Sequence, residues 1–146
     1  MSELYLVANQ TVKLLKENNL SVSFAESCTG GTLSQLITSV SGASEVFELG
    51  ICCYSNDIKH KLLNVPKEIL ENFGAISQET AIVLAKEVRR LANSSIGISV
   101  TGVAGPNKSE GKEVGTVYIG FCNENNSFAV NLNAEKTLSR TEIREL

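Results

Sequence analysis

Tryptophan is absent from this 146-residue chain, and all aromatic residues together make up only 5% of it. The core must therefore be aliphatic. Histidine occurs once and proline twice. A single histidine leaves little room for a Ser-His-Asp arrangement or a histidine-rich metal centre. The four cysteines, Cys28, Cys52, Cys53 and Cys122, form no CxxC pair, so no metal site and no cofactor are expected. Free thiols without a signal peptide point to a reducing cytoplasm. No apolar run approaches a membrane span, so no membrane association is expected. A large charge of one sign is also missing. The net charge is −3, which argues against nucleic acid as a partner. A small anionic ligand would have to be held by local donors rather than by the overall field.

What is present reads as an ordinary globular chain, 42% hydrophobic and 20% charged, long enough to bury a real core. Residues 1–146 read as one domain. Leu4, Val7, Ala8, Val12 and Leu15 are spaced for a helix over 3–18. SVSFAES reads as a strand, and residues 28–40 return to helical spacing. EVFELGICCYS is a second strand, apolar enough to be central in a sheet, with Cys52 and Cys53 as small core residues. Short helices start at Asn56 and around Pro66, the latter closed by Gly74. The clearest helix begins at Ser77. SIGISVTG is a buried strand, TVYIGFCN and SFAVNLN flank a hairpin turn at ENN, and TLSRTEIREL begins a last helix. The order α-β-α-β-α-α-β-β-β-α predicts an α/β fold, a three-layer α/β/α sandwich with a mixed, mostly parallel sheet.

Chemistry concentrates in AESCTGG, YSNDIK, SVTGVAGP and VGTVYIGF. In three of these a strand ends at a polar or glycine-containing turn, and strand carboxyl ends line the ligand crevice of parallel α/β sheets. Ser27 is a candidate nucleophile, but a hydroxyl needs a nearby base. His60 reads as a solvated surface residue. Lys59 is the better base. It lies five residues after Tyr54, early in a helix, where partial burial would lower its pKa. Its plain alternative is a surface lysine. Gly30 and Gly31 stand where a helix starts, so backbone N–H groups there could hold a phosphate or an oxyanion. Thr101, Gly102, Gly105 and Pro106 form a second turn of the same kind. The plain alternative is a pair of tight turns, with Ser27 or Thr29 as a cap. Cys28 is a rival nucleophile, since a helix N-terminus lowers a thiol pKa. Residue types alone leave Ser27, Cys28 and a mere cap open.

These segments, in order and together with GICCYSNDIKHKLLNV and GAISQETA, resemble the CinA carboxy-terminal domain family, the nicotinamide-nucleotide amidases also known as competence/damage-inducible proteins. The resemblance runs to about Arg144. It implies a three-layer α/β/α fold and hydrolysis of nicotinamide mononucleotide to nicotinate mononucleotide and ammonia, in pyridine nucleotide recycling. It also implies metal independence and a homo-oligomer, commonly a dimer. The family's catalytic serine, lysine and tyrosine fall on Ser27, Lys59 and Tyr54. Its glycine-containing, substrate-binding turns fall on Thr29, Gly30, Gly31, Thr101, Gly102 and Gly105. Arg140 and Arg144 fall near family arginines that serve the phosphate or a subunit interface.

There are departures. ICCYSN stands where the family usually has FVTYSN, a change of packing. The loop NKSEGKE lacks the usual acidic-glycine start after Pro106. The family's last helix continues beyond the position matching Leu146, so the final helix here is expected to be short. The resulting expectation is a Ser-Lys amidase acting on a small nucleotide. The competing expectations are a non-catalytic nucleotide-binding module of the same family and a cysteine amidase using Cys28.

Overall fold

A computed structural model describes residues 1–146. The chain begins with α1 (Glu3–Glu17), capped by Ser2, whose hydroxyl accepts from the Tyr5 N–H. Ala8, Val12 and Leu15 form its buried stripe. Then come β1 (Val22–Glu26), α2 (Thr32–Thr38), β2 (Phe47–Cys52), α3 (Asn56–Leu63), α4 (Lys67–Phe73) and α5 (Gln78–Ala92). The second half holds β3 (Ile96–Gly102), β4 (Val117–Cys122), β5 (Ser127–Asn131) and α6 (Arg140–Arg144). No helix is long and apolar enough to cross a membrane.

The five strands form one sheet in the order β2-β1-β3-β4-β5. β1 pairs in parallel with both β2 and β3. β4 is antiparallel to β3 and to β5, so only β4 opposes the common strand direction. Helices cover both faces. Residues of α1 and α2 close one aliphatic cluster over Val22 and Phe24. Residues of α3 and α5, with Val65 between α3 and α4, close another over Ala25. β1, enclosed on both faces and both edges, is buried at every position. Helix α5 lies unusually close to the sheet. Side chains at Gly97 and Gly120 would run into the Ala85 and Ala81 carbonyls.

The expected order of elements is found, with three corrections. β2 is an edge strand, not a central one, and its residues alternate between half-buried and exposed. A bulge opposite Val22 and Ser23 inserts Glu48 and reverses the pleat. Phe47 therefore packs on the α1/α2 cluster, while Leu49 and Ile51 pack on the other. Cys52 consequently points outward and is exposed, and only Cys53 is a core residue. Finally, the second helix begins at Thr32 rather than at residue 28, because Cys28–Gly31 form a turn.

Candidate active site

The parallel strands β1 and β2 run side by side, so their carboxyl ends emerge at one end of the sheet, beside that of β3. Ser27 directly follows β1. Its N–H donates to Val100 O of β3 at 3.1 Å, which extends the ladder by one residue and fixes the serine at the sheet rim. Across the rim, Cys53 N–H donates to Glu26 O at 2.9 Å and prolongs β2 in the same way. Ser55 then caps α3 by accepting from the Ile58 N–H at 3.2 Å. That start to α3 turns Lys59 inward under the strand ends.

Lys59 is only 1% exposed. Its Nζ lies 3.2 Å from Ser27 Oγ, 2.8 Å from Cys53 O and 2.9 Å from Tyr54 O. Burial pushes its pKa below 10.5, against opposing pulls from Cys53, Glu110 and Cys28. The three partners suit a neutral amine. Two N–H bonds go to the two carbonyls, and the lone pair is left facing the serine hydroxyl. An ammonium would use the same contacts as three donors, so losing the proton reverses only the Ser27 bond.

The dyad opens into a pocket of about 160 Å³. A cavity of that size takes a single six-membered ring. Thr101, Gly102 and Ala104 of the second turn line it, together with Ala75, Ile76, Asn56, Ser109, Glu110 and Arg140. Thr101 is buried, and its hydroxyl donates to Ala75 O at 2.8 Å. A Cβ on Gly102 would collide with Thr116 and Val117, so glycine lets the turn sit tightly against β4. Gly105 lies just behind. It has φ +88°, and its carbonyl accepts from Arg140 Nη1 at 2.6 Å. Arg140 Nη2 donates to Tyr54 Oη at 3.2 Å, which ties α6 to the β2–α3 corner.

The other expected residues lie elsewhere. Thr29, Gly30, Gly31, Gly105 and Arg144 do not line the pocket. Arg144 covers the back of the first turn, where Nη2 donates to Thr29 O at 2.9 Å and the guanidinium packs on Gly30. The N–H groups at the start of α2 are already taken. Glu26 is completely buried, and its carboxylate accepts from Leu33 N–H at 2.6 Å and Ser34 N–H at 3.2 Å. It also accepts from Ser34 Oγ and Thr29 Oγ1 at 2.8 and 3.0 Å. Gly31 holds the helix cap position with φ +101° and offers no side chain, so Glu26 caps in its place. Neither Ser27 nor Thr29 is the cap. The Cys28 and Thr29 N–H groups, immediately after the serine, donate to no backbone carbonyl.

Tyr54 contributes its carbonyl to Lys59, while its side chain is 65% exposed and its hydroxyl is paired with Arg140. Cys28 lines the pocket, but burial pushes its thiol pKa up, which works against thiolate chemistry. His60 is half-buried, and its Nδ1 lies 2.8 Å from Val65 O, so it is bonded rather than freely solvated. Sequence reasoning missed Glu26 and Glu110. Glu26 stands outside the capping-box spacing. Glu110 sits in a loop whose pattern gives no hint of where its carboxylate turns.

The sequence profile of the CinA C-terminal domain matches residues 5–146. A competence-damage inducible protein of a Thermoanaerobacter species is 53% identical over 111 residues, covering 75% of this chain and 27% of its own length. The Bacillus mycoides protein of the same name is 45% identical over 139 residues, covering 93% of this chain and 33% of its own. The chain thus spans a third or less of the length of these relatives. The solved competence/damage inducible protein of Agrobacterium tumefaciens superposes with a TM-score of 0.94 at 33% identity, over 99% of this chain and 88% of that one. A competence or damage-inducible protein of Enterobacter asburiae superposes equally well, at 0.94 and 26% identity, over 99% and 91% of the two chains.

Proposed function

The chain belongs to the CinA C-terminal domain family, and from that premise and the pocket's chemistry we propose that it is an amidohydrolase that converts nicotinamide mononucleotide to nicotinate mononucleotide and ammonia. The observation that carries this reading is the 3.2 Å contact between Ser27 Oγ and a buried Lys59 Nζ whose other partners are two carbonyls. That arrangement holds a lone pair on the serine proton and favours the neutral amine by desolvation.

The Lys59 lone pair takes the Ser27 proton as Oγ attacks the carboxamide carbon. The carbonyl electrons move onto oxygen. The N–H of Cys28, a residue of the pocket lining that donates to no backbone carbonyl, is the donor for that oxyanion. Collapse breaks the C–N bond, and the proton held by Lys59 leaves with the nitrogen as ammonia. Water then gives its proton to Lys59 and attacks the acyl carbon. The ester C–O bond breaks, the proton returns to Ser27, and the carboxylate product departs. Arg140, at the pocket wall, is the cation for the substrate phosphate. Arg144 and the start of α2 are structural, because neither lines the pocket and Thr29 O and Glu26 engage them.

Ammonia release from nicotinamide mononucleotide, compared between the wild type and Ser27→Ala, tests the proposal. The expected result is release by the wild type and a loss of at least about a thousandfold in the variant. Full activity in Ser27→Ala would overturn it. Binding without release by the wild type would favour the non-catalytic nucleotide-binding module.

A further inference from the structure

We propose that Glu110 is a specificity-determining residue that reads the positive charge of an N-substituted pyridinium ring held in the Ser27–Lys59 pocket. This rests on the part of the proposed function that seats nicotinamide mononucleotide in the pocket, and adds to it the feature of the ligand that the site selects.

Glu110 lines the pocket together with Ser27, Lys59 and Arg140. Its position is built, not incidental. The backbone at Glu110 is left-handed, with φ +53°, in a tight turn closed by the Ser109–Lys112 bridge. Its two carboxylate oxygens accept from the Ala75 and Ile76 N–H groups, each at 3.1 Å. Lys112, two residues on, fastens the same turn by donating to Phe73 O at 2.9 Å and to Ile76 O. The loop thus holds its carboxylate at the pocket wall while directing Lys112 to carbonyls. Glu110 belongs to none of the protein's salt bridges. Lys59 is directed to Cys53 O, Tyr54 O and Ser27 instead.

An unpaired anion here is costly to a lysine base on its own, because the field of Glu110 helps Lys59 keep its proton. A cationic ring removes that disadvantage. It pairs with Glu110 and adds a positive charge beside Lys59, and both effects favour the neutral amine. Arg140, another residue of the pocket lining, supplies the opposite charge. The site is therefore dipolar, matched to a ligand that carries a cationic ring and an anionic phosphate.

The test is calorimetric binding to full-length Ser27→Ala, which allows binding without turnover. Two ligands are compared: nicotinamide mononucleotide, and its reduced form, which keeps the carboxamide, ribose and phosphate but has a neutral ring. The cationic ligand is expected to bind about fivefold more tightly, the upper range for a partly exposed ion pair. Adding Glu110→Gln or Glu110→Ala is expected to bring that ratio to about one. Lys112→Gln, which loosens the same loop without touching the carboxylate, is expected to weaken both ligands alike and keep the ratio. Equal affinities before the Glu110 change, or a preference that survives both Glu110 variants, would overturn the proposal. An unchanged ratio with both affinities reduced would mean that Glu110 only holds the Ala75–Ile76 backbone or accepts from the carboxamide. If the preference depends on Glu110 but the wild type releases no ammonia, the amidase reading falls and the ring-reading role stands. If neither ligand binds, the ring-reading role falls, and ammonia release by the wild type decides the amidase reading separately.

Discussion

On one side of Ser27, the Glu26 carboxylate is completely buried and receives four hydrogen bonds, which join the end of β1 to the first turn of α2. On the other side, Lys59 is equally buried, but two of its three contacts are carbonyls and the third is the Ser27 hydroxyl. The Glu26 region is saturated, so its charge serves the fold. The Lys59 region keeps one position whose hydrogen bond can run in either direction, so its charge is available for chemistry. Burial alone does not separate a structural ionisable group from a reactive one. The inventory of partners does.

Changing the two residues separately breaks the comparison most sharply. Lys59→Met removes the amine at similar volume. The expected loss in kcat for ammonia release is about 10²- to 10⁴-fold, the range for a positioned general base. Denaturant unfolding at neutral pH is expected to move by no more than about 1 kcal/mol, because relief from burying the amine offsets two carbonyls that lose a donor. Glu26→Gln should behave in the opposite way. Its amide N–H₂ would face N–H donors, so unfolding is expected to show a loss of about 2 kcal/mol. Losses of stability and activity that are equal in the two variants would remove the distinction.

Stability as a function of pH sharpens it further. Burial places the folded-state pKa of Lys59 below the 10.5 of the unfolded chain. Between those two values the unfolded chain holds a proton that the folded chain has released. The contribution of Lys59 to stability therefore rises with pH across that window. Lys59→Met is expected to flatten that part of the curve, and denaturation midpoints across a pH series measure it.

Smaller effects concern the outer residues. Arg144→Ala is expected to cost about 1 kcal/mol of stability through the lost Thr29 O bond and to leave KM unchanged. Tyr54→Phe keeps the carbonyl that holds Lys59 and removes an exposed hydroxyl with its bond from Arg140, so kcat is expected to fall by no more than about fivefold.

The alternation of helices with strands was readable from apolar spacing, because most elements bury one regular face. Residue type made Ser27 and Lys59 candidates beside Cys28 and a plain cap, the family resemblance chose between them, and the fold brings the two to 3.2 Å. Their separation could not be read, since it depends on β2 lying beside β1 and on the Ser55 cap that aims α3. The edge position of β2 was hidden by its composition. A bulge divides its apolar residues between two cores, so a run that looks doubly buried is buried one side at a time. The two glycine turns looked alike because glycine reports conformation and not direction. The turn at Thr101 and Gly102 faces the pocket, whereas the first turn reaches it only through Cys28, and Gly30 and Gly31 face Arg144 and Cys52. Glu26 and Glu110 were illegible because each acts on backbone N–H groups, seven or eight residues away for the first and more than thirty for the second.

The pH dependence of kcat/KM for ammonia release from nicotinamide mononucleotide tests most directly the claim that a neutral Lys59 activates Ser27. The expected result is a rate that climbs with unit slope and levels off at a pH below 10.5, with Ser27→Ala slower by at least about a thousandfold at every pH. A wild-type rate that is flat across the acidic limb, or a Ser27→Ala protein that follows the wild-type curve, would contradict it.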